Sequence, residues 1–225
     1  MKNTAVHIGI GIVRLISFLP LPMAQALGAL IGKIMWYTDS GTAKVAKVNL
    51  SLCFPDYDEK QLNKATKSSL VALGKTYTEM GMSWMWPIPK VQKLISQVEG
   101  LDYLEKALAD KNGIILIAPH LGNWEVLGLY LARHYAVTAL YQPPALEALD
   151  HLIYSARSRN GSTLVPTNMR GVKALLKALG RGEVTVILPD QVPAKNGGEF
   201  APFFGIDTLT ATLPLNLIKR TGASV

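Results

Sequence analysis

The chain has 225 residues, enough for one sizeable core or for one core plus a small appendage. Hydrophobic residues make up 49% of it and the mean hydropathy is positive, which excludes a disordered chain and is rather apolar for a freely soluble domain. The formal charge is +7, from 23 Lys/Arg against 16 Asp/Glu, with no arginine-rich stripe or nucleic-acid motif to go with it, so the reading has no nucleic acid as partner.

The basic excess begins at the N-terminus, where residues 1–75 hold nine Lys/Arg and four Asp/Glu. Anionic lipid attracts such a segment by about 1 kcal/mol per basic residue near the surface. The same region carries the apolar stretch AVHIGIGIVRLISFLPLPMAQALGALIGKIMWY, in which Leu15 to Gly32 is an uncharged run of 18 residues, at the edge of what spans a bilayer. Arg14 interrupts it early, and Pro20 and Pro22 break it. No cleavage site accompanies it, so it does not read as a signal peptide. Residues 1–40 read as a membrane anchor, either one short span or two helices lying at the interface around Leu19-Pro20-Leu21-Pro22. A buried hydrophobic hairpin is the competing reading.

Residues 41–97 read as a helical segment packing on the core. A first helix runs from Thr42 to Cys53 and closes at Phe54-Pro55-Asp56. Cys53 is the single cysteine, which rules out an intrachain disulfide and reads as a small buried hydrophobe on a reducing face. A long helix follows, from about Asp58 to Trp86, with Leu62, Ala65, Leu73, Tyr77, Met80 and Trp84 at spacings of three and four. Pro87 stops it. Met82, Trp84, Met85 and Trp86 are either ordinary core or contacts for lipid or an acyl chain.

From about residue 98 to residue 225 the rhythm changes. A helix at Leu101–Ala109 precedes the strand GIILIAP, a helix at Asn123–Arg133 precedes AVTALY, and a helix around Leu146–Arg159 precedes STLVP. A helix at Gly171–Leu179 precedes EVTVILP, and a helix at Thr212–Thr221 leads to GASV, a strand cut short. Strands alternating with helices of about ten residues predict a layered α/β domain with a largely parallel central sheet flanked by helices. The strands are nearly all apolar, as expected of strands buried on both faces.

In such sheets ligands gather outside the carboxyl ends of the strands. Two of those ends carry titratable residues: IAPHLGNWE, with His120 and Glu125, and ILPDQVP, with Asp190 and Gln191. His120 falls in the turn and Glu125 near the first turn of the next helix, a spacing that lets both face one cleft. A carboxylate bonded to one ring nitrogen fixes the tautomer and raises the basicity of the other, which then takes a proton from a hydroxyl. Asn123 reads as the N-cap, and the helix start offers N–H groups able to hold a phosphate or a developing oxyanion. A capping carboxylate with an incidental histidine is the bland alternative. The four histidines, His7, His120, His134 and His151, form no His-Glu-x-x-His pair and no Cys-rich ligand set accompanies them, which argues against a metal site. The absence of a Gly-x-Ser-x-Gly elbow argues against a serine hydrolase, and Gly9-Ile10-Gly11 lacks the third glycine of a nucleotide loop. The nucleophile is then the substrate's own hydroxyl, with His120 as its base.

HLGNWE resembles the H-x-x-x-x-E/D motif of membrane acyltransferases that use acyl thioesters, and its Gly-Asn-Trp filling resembles the lipid A biosynthesis (lauroyl/myristoyl) acyltransferases of Gram-negative bacteria. VNLSLCFPD at 48–56, ARSRNG at 156–161, LKALGRGEVTVILPDQ at 176–191, FAPFFG at 200–205 and KRTGASV at 219–225 are similar to further blocks of that family, in order. The resemblance implies a layered acyltransferase fold on the cytoplasmic face of the inner membrane. It implies transfer of a fatty acyl group from acyl carrier protein, without a cofactor, to a hydroxyl of a lipid A precursor bearing Kdo sugars. By residue, it makes His120 the general base and Glu125 its partner. Arg157 and Asp190 become further polar residues of the site, with Arg159 as the alternative arginine, and Asn123 and Gln191 join them as substrate-binding positions. Two departures accompany it: the chain breaks off at Val225 where the family continues, so its C-terminal part is expected to be truncated, and Leu213 stands where the family tends to place glycine. The other readings are a related acyltransferase acting on another glycolipid or a lysophospholipid, and a non-catalytic membrane lipid-binding protein.

Overall fold

Proline placement divides the N-terminal apolar stretch into two helices. In a computed structural model, residues 2–225 are described, with side chains from residue 8 onward; Met1 and the side chains of residues 2–7, Lys2 and His7 among them, lie outside the described residues. Helix α1 (Lys2–Ser17) ends before Pro20, which is the N-cap of α2 (Leu21–Tyr37), and Pro22 sits in the first turn, where a missing N–H leaves nothing unpaired. No helix among the described residues is long and apolar enough to cross a membrane. Helix α3 (Gly41–Cys53) starts at Ser40, whose hydroxyl accepts from the Ala43 N–H at 3.2 Å. Helix α4 (Glu59–Met85) starts with a reciprocal cap: the Gln61 N–H donates to Asp58 Oδ1 at 2.7 Å and the Asp58 N–H donates to Gln61 Oε1 at 2.8 Å.

Residues 7–85, together with 200–208, make one compact unit. Its central helix pair is held by small residues. Ala24, Gly28 and Gly32 form the buried stripe of α2, and Leu70, Gly74 and Thr78 belong to the buried stripe of α4. The backbones come so close that a Cβ on Gly28 would fall on the Gly74 carbonyl oxygen. Of the Met/Trp cluster, Met82 is buried and Trp84 and Met85 are half-buried, while Trp86, at the start of the second unit, is buried; Cys53 is half-buried.

Residues 86–199 and 209–225 belong to a second unit. Its elements are α5 (Ile88–Gln92), α6 (Leu101–Ala109), β1 (Ile114–Ile117), α7 (Trp124–His134), β2 (Val137–Tyr141), α8 (Glu147–Ser158), β3 (Thr163–Pro166), α9 (Met169–Gly180), β4 (Val184–Ile187) and, after the hairpin described below, α10 (Leu213–Thr221). The four strands form a parallel sheet in the order β1-β4-β2-β3. Ser224 extends it: its N–H donates to the Gly113 carbonyl at 3.0 Å and its carbonyl accepts from the Ile115 N–H at 2.9 Å, a parallel bridge beside β1. Alternation along β1 assigns its two faces. Ile115 packs with Leu175, Leu179 and Leu217 of α9 and α10, whereas Ile114 packs with Leu131 of α7 and Leu104 and Leu108 of α6. A sheet covered on both sides needs strands apolar on both sides, which is why β1 and β4 read as unbroken hydrophobic runs.

Strands β5 (Gly198–Phe203) and β6 (Ile206–Ala211) form a separate two-stranded sheet. Only Phe204 and Gly205 connect them, at φ 51° and 77°, a two-residue turn that joins antiparallel strands. The sequence reading contains no hairpin here. Pro202 removes a ladder donor and no Asn-Gly or Asp-Gly pair marks the turn.

Candidate active site

β1 and β4 are neighbours in register, with Ile117 opposite Ile187. Each continues for three residues, Ala118-Pro119-His120 and Leu188-Pro189-Asp190, so equal extensions bring His120 and Asp190 level. The ladder's last bond is the Ala118 N–H to the Ile187 carbonyl at 3.0 Å; the prolines that follow have no N–H to continue it. Asp190 then takes His120 twice. The His120 backbone N–H donates to Oδ2 at 2.7 Å, and ring Nδ1 lies 2.8 Å from Oδ1. Burial would push the Asp190 carboxyl up, but the ring and backbone hydrogen bonds from His120 outweigh it and hold the carboxyl below the usual range. An ionised Asp190 accepts only, so Nδ1 carries the proton and Nε2 presents its lone pair. Gln191 places its amide nitrogen 3.4 Å from Nε2, and the Trp124 ring meets the imidazole edge-on at 4.8 Å.

Gly122, at φ 62°, turns the chain from His120 into α7. Asn123 caps that helix, its side-chain oxygen accepting from the Val126 N–H at 3.3 Å. Glu125, in the first turn of that helix, is only 6% exposed, and a carboxylate so buried needs a cation. Arg157 of α8 supplies it: Nε lies 3.1 Å from both carboxylate oxygens and Nη2 donates to Oε1 at 2.6 Å. The carboxylates are thus distributed differently from the sequence reading. The partner of His120 is Asp190, and Glu125 goes to Arg157. Chain spacing sees a carboxylate five residues away; it does not see one seventy residues away, just past the end of an adjacent strand.

Arg157 and Arg159 are separated by the same geometry. Two residues apart near a helix end, they point to different sides. Arg159 donates from Nη1 to the Trp86 carbonyl at 2.8 Å, and burial lowers its guanidinium pKa. It is Arg157 that joins Glu125, and its guanidinium also lies over the Tyr141 ring at 5.7 Å. The Tyr141 hydroxyl donates to Asp150 Oδ1 at 2.6 Å; burial first, then that bond, raises the phenol well above its ordinary pKa. Tyr141 and Asp150 were absent from the sequence reading. The signal for Tyr141 was available, since it ends β2 as His120 follows β1 and Asp190 follows β4. Asp150 carried none, being one of two acids in the first turn of a partly buried helix.

Two polar clusters therefore lie at the carboxyl ends of the strands: Gln191–His120–Asp190, and Glu125–Arg157–Tyr141–Asp150. Leu121 and Val192, the neighbours of His120 and Gln191, are exposed apolar side chains. No group of three or more His, Cys, Asp or Glu able to hold a metal occurs among the described residues.

The family model for bacterial lipid A biosynthesis acyltransferases matches residues 1–225. The chain is 29% identical over 219 residues to the lipid A biosynthesis palmitoleoyltransferase of Escherichia coli K12, covering 96% of this chain and 70% of that protein. It is 27% identical over 213 residues to the lauroyltransferase of the same organism, covering 95% and 69%. It is 30% identical over 217 residues to a lipid A biosynthesis acyltransferase of Haemophilus influenzae, covering 95% and 68%.

Proposed function

The chain belongs to the bacterial lipid A biosynthesis acyltransferase family, and from that we propose that it moves a fatty acyl group from acyl carrier protein to a hydroxyl of a Kdo-bearing lipid A precursor, with His120 as general base. That it is an acyltransferase of lipid A biosynthesis follows from the family. Membership in a family of enzymes sets aside the non-catalytic lipid-binding alternative.

The observation that carries the base assignment is the Nδ1–Asp190 bond at 2.8 Å, which leaves Nε2 as the proton acceptor. In this mechanism Nε2 takes the proton of the acceptor hydroxyl. The oxygen attacks the thioester carbonyl, and the tetrahedral intermediate expels the thiolate, which recovers the proton from the imidazolium. Asp190 stabilises the imidazolium while it exists. Glu125, through Arg157, fixes the start of α7, whose N–H groups, with Asn123 at the cap, are suited to the developing oxyanion. Gln191 shields Nε2 until the acceptor displaces it, and Leu121 and Val192 give the acyl chain an apolar rim.

The acceptor is a membrane lipid, so we assign the enzyme to the cytoplasmic face of the inner membrane, with residues 1–40 as its anchor, residues 41–97 as a helical segment and residues 98–225 as the acyltransferase core. Support for an interfacial anchor comes from the outward side chains Ile8, Ile12 and Leu15 of α1 and Met23, Leu30 and Ile34 of α2, all at least half exposed. Within the described residues 8–38 there are Arg14 and Lys33 and no carboxylate.

Purified His120→Ala should remain folded and lose about 10²–10⁴-fold in turnover with acyl-carrier-protein thioester and Kdo-bearing acceptor. A folded variant with the parent rate would refute the base assignment. Mass spectrometry of lipid A from cells with and without the gene reads donor and acceptor together; an unchanged acyl pattern would count against the acceptor.

A further inference from the structure

The hairpin turn between β5 and β6 sets an aromatic residue where glycine or asparagine is usual. Phe204 is held at φ 51°, a conformation disfavoured for a bulky side chain, and its ring is not buried in return but 54% exposed. Phe203 beside it is 58% exposed and Phe200 74% exposed. The rings form a continuous row: Phe203 meets Phe204 edge-on at 4.8 Å, Phe204 meets Phe54 at 5.5 Å, and Phe54 stacks on Tyr57 at 4.9 Å. The row continues an apolar stripe on α3, where Val45, Val48 and Leu52 recur at spacings of three and four, all more than half exposed. An exposed apolar patch of this continuity marks a contact surface.

Packing within the same unit identifies what it contacts. Helix α2 is inside out by the standard of a water-soluble helix, with Ala24, Gly28 and Gly32 buried and Met23, Leu30 and Ile34 exposed. Small residues between helices and large apolar residues outward are the arrangement of helices whose solvent is lipid. Charge agrees: α1 to α3, from residue 8 to residue 53, carry Arg14, Lys33, Lys44 and Lys47 against one acid, Asp39. Lys44 and Lys47 lie on α3 beside the stripe, with stems long enough to reach headgroups. Asp56, Asp58 and Asp207, which flank the rings in sequence, are all exposed, which suits shallow insertion with the acids at headgroup level.

We propose that the Phe203–Phe204 hairpin tip, with Phe54, Tyr57 and the outer face of α3, is a second lipid-contact element that enters the boundary between headgroups and acyl chains of an anionic bilayer. It rests on the membrane-surface reading of residues 1–40 and adds to it the adjoining α3 face and a hairpin tip more than a hundred residues away in sequence.

The test uses the full chain and vesicles of equal parts phosphatidylcholine and phosphatidylglycerol. The variant is Phe203→Ser with Phe204→Asn; asparagine accepts positive φ better than phenylalanine, so the turn is kept, and an unchanged or raised melting temperature verifies it. Wild type should bind, and the variant should bind at least about tenfold more weakly, as expected for removing an inserted ring. In a Cys53→Ser background, a polarity-sensitive fluorophore on Phe203→Cys should shift to the blue when vesicles are added. Variant binding within about twofold of wild type, with no fluorophore shift, overturns this element and leaves the N-terminal reading standing. Wild type that ignores the vesicles overturns both. Wild type that self-associates without lipid, where the variant stays monomeric, gives the ring row to a second copy and overturns the lipid assignment.

Discussion

Asp190 holds both the backbone and the ring of His120, so a substitution there acts on the base through its tautomer and through the charge it faces. Asp190→Asn keeps an acceptor for Nδ1 but removes the negative charge that favours the imidazolium. Turnover should fall by about 10²–10⁴-fold, and the melting temperature at neutral pH should fall modestly because the stabilising carboxylate is gone. The same carboxyl has an acid signature. Its folded pKa lies below its unfolded value of about 3.9, so its contribution is present in full above that value and is lost as the pH falls through the depressed folded value. Acid-unfolding curves of wild type and Asp190→Asn should therefore converge as the pH falls from about 5 toward 2. Arg157 behaves differently, because truncating it leaves the buried Glu125 carboxylate without the guanidinium that pairs it. Arg157→Ala should cost about 2–3 kcal/mol in denaturant titration, less than for a fully buried pair because Arg157 itself is partly exposed. Arg157→Lys should recover only part of that, since an ammonium does not reproduce the forked contact.

At the level of elements, the sequence was most legible where periodicity and punctuation agreed. The α6 bounds, the apolar runs of β1, β2 and β4, and the Asn123 cap of α7 were all readable, because propensity, turn residues and burial point the same way there. The α2–α4 pair was not. Its stripe of Ala24, Gly28 and Gly32 shows in the sequence only as small residues four apart, and which helix they meet is a matter of packing. Glycines on this unit accordingly differ in sign. Gly28→Ala should destabilise the chain by about 1–3 kcal/mol, since the new methyl meets the Gly74 backbone, which has no rotamer to move. Gly9→Ala, with nothing within 4 Å of the added methyl, should be neutral or stabilise α1 by up to about 1 kcal/mol. Thermal melting of the two variants side by side separates close packing from helix propensity.

For the molecule as a whole, the +7 charge and the outward apolar side chains of α1 to α3 predict a two-part association with membranes. On anionic vesicles, raising the salt from about 0.05 to 0.5 M should weaken binding by screening the basic residues and leave an apolar remainder. Complete release at high salt, read by vesicle sedimentation, would mean that no apolar insertion occurs. The layered α/β class and the strand ends that bear His120 and Asp190 were legible from local pattern, because strand length, apolar run and turn residue are properties of neighbouring positions. The family was legible from its motifs for the same reason. Pairing was not: β4 inserts between β1 and β2, and that strand order sets Asp190, rather than Glu125, against His120. The burial that obliges Glu125 to find Arg157, and the ring row joining Phe54 to Phe204, likewise come from distant segments meeting. A linear chain records which groups are present, and an interaction energy depends on which of them end up within a few ångströms of each other.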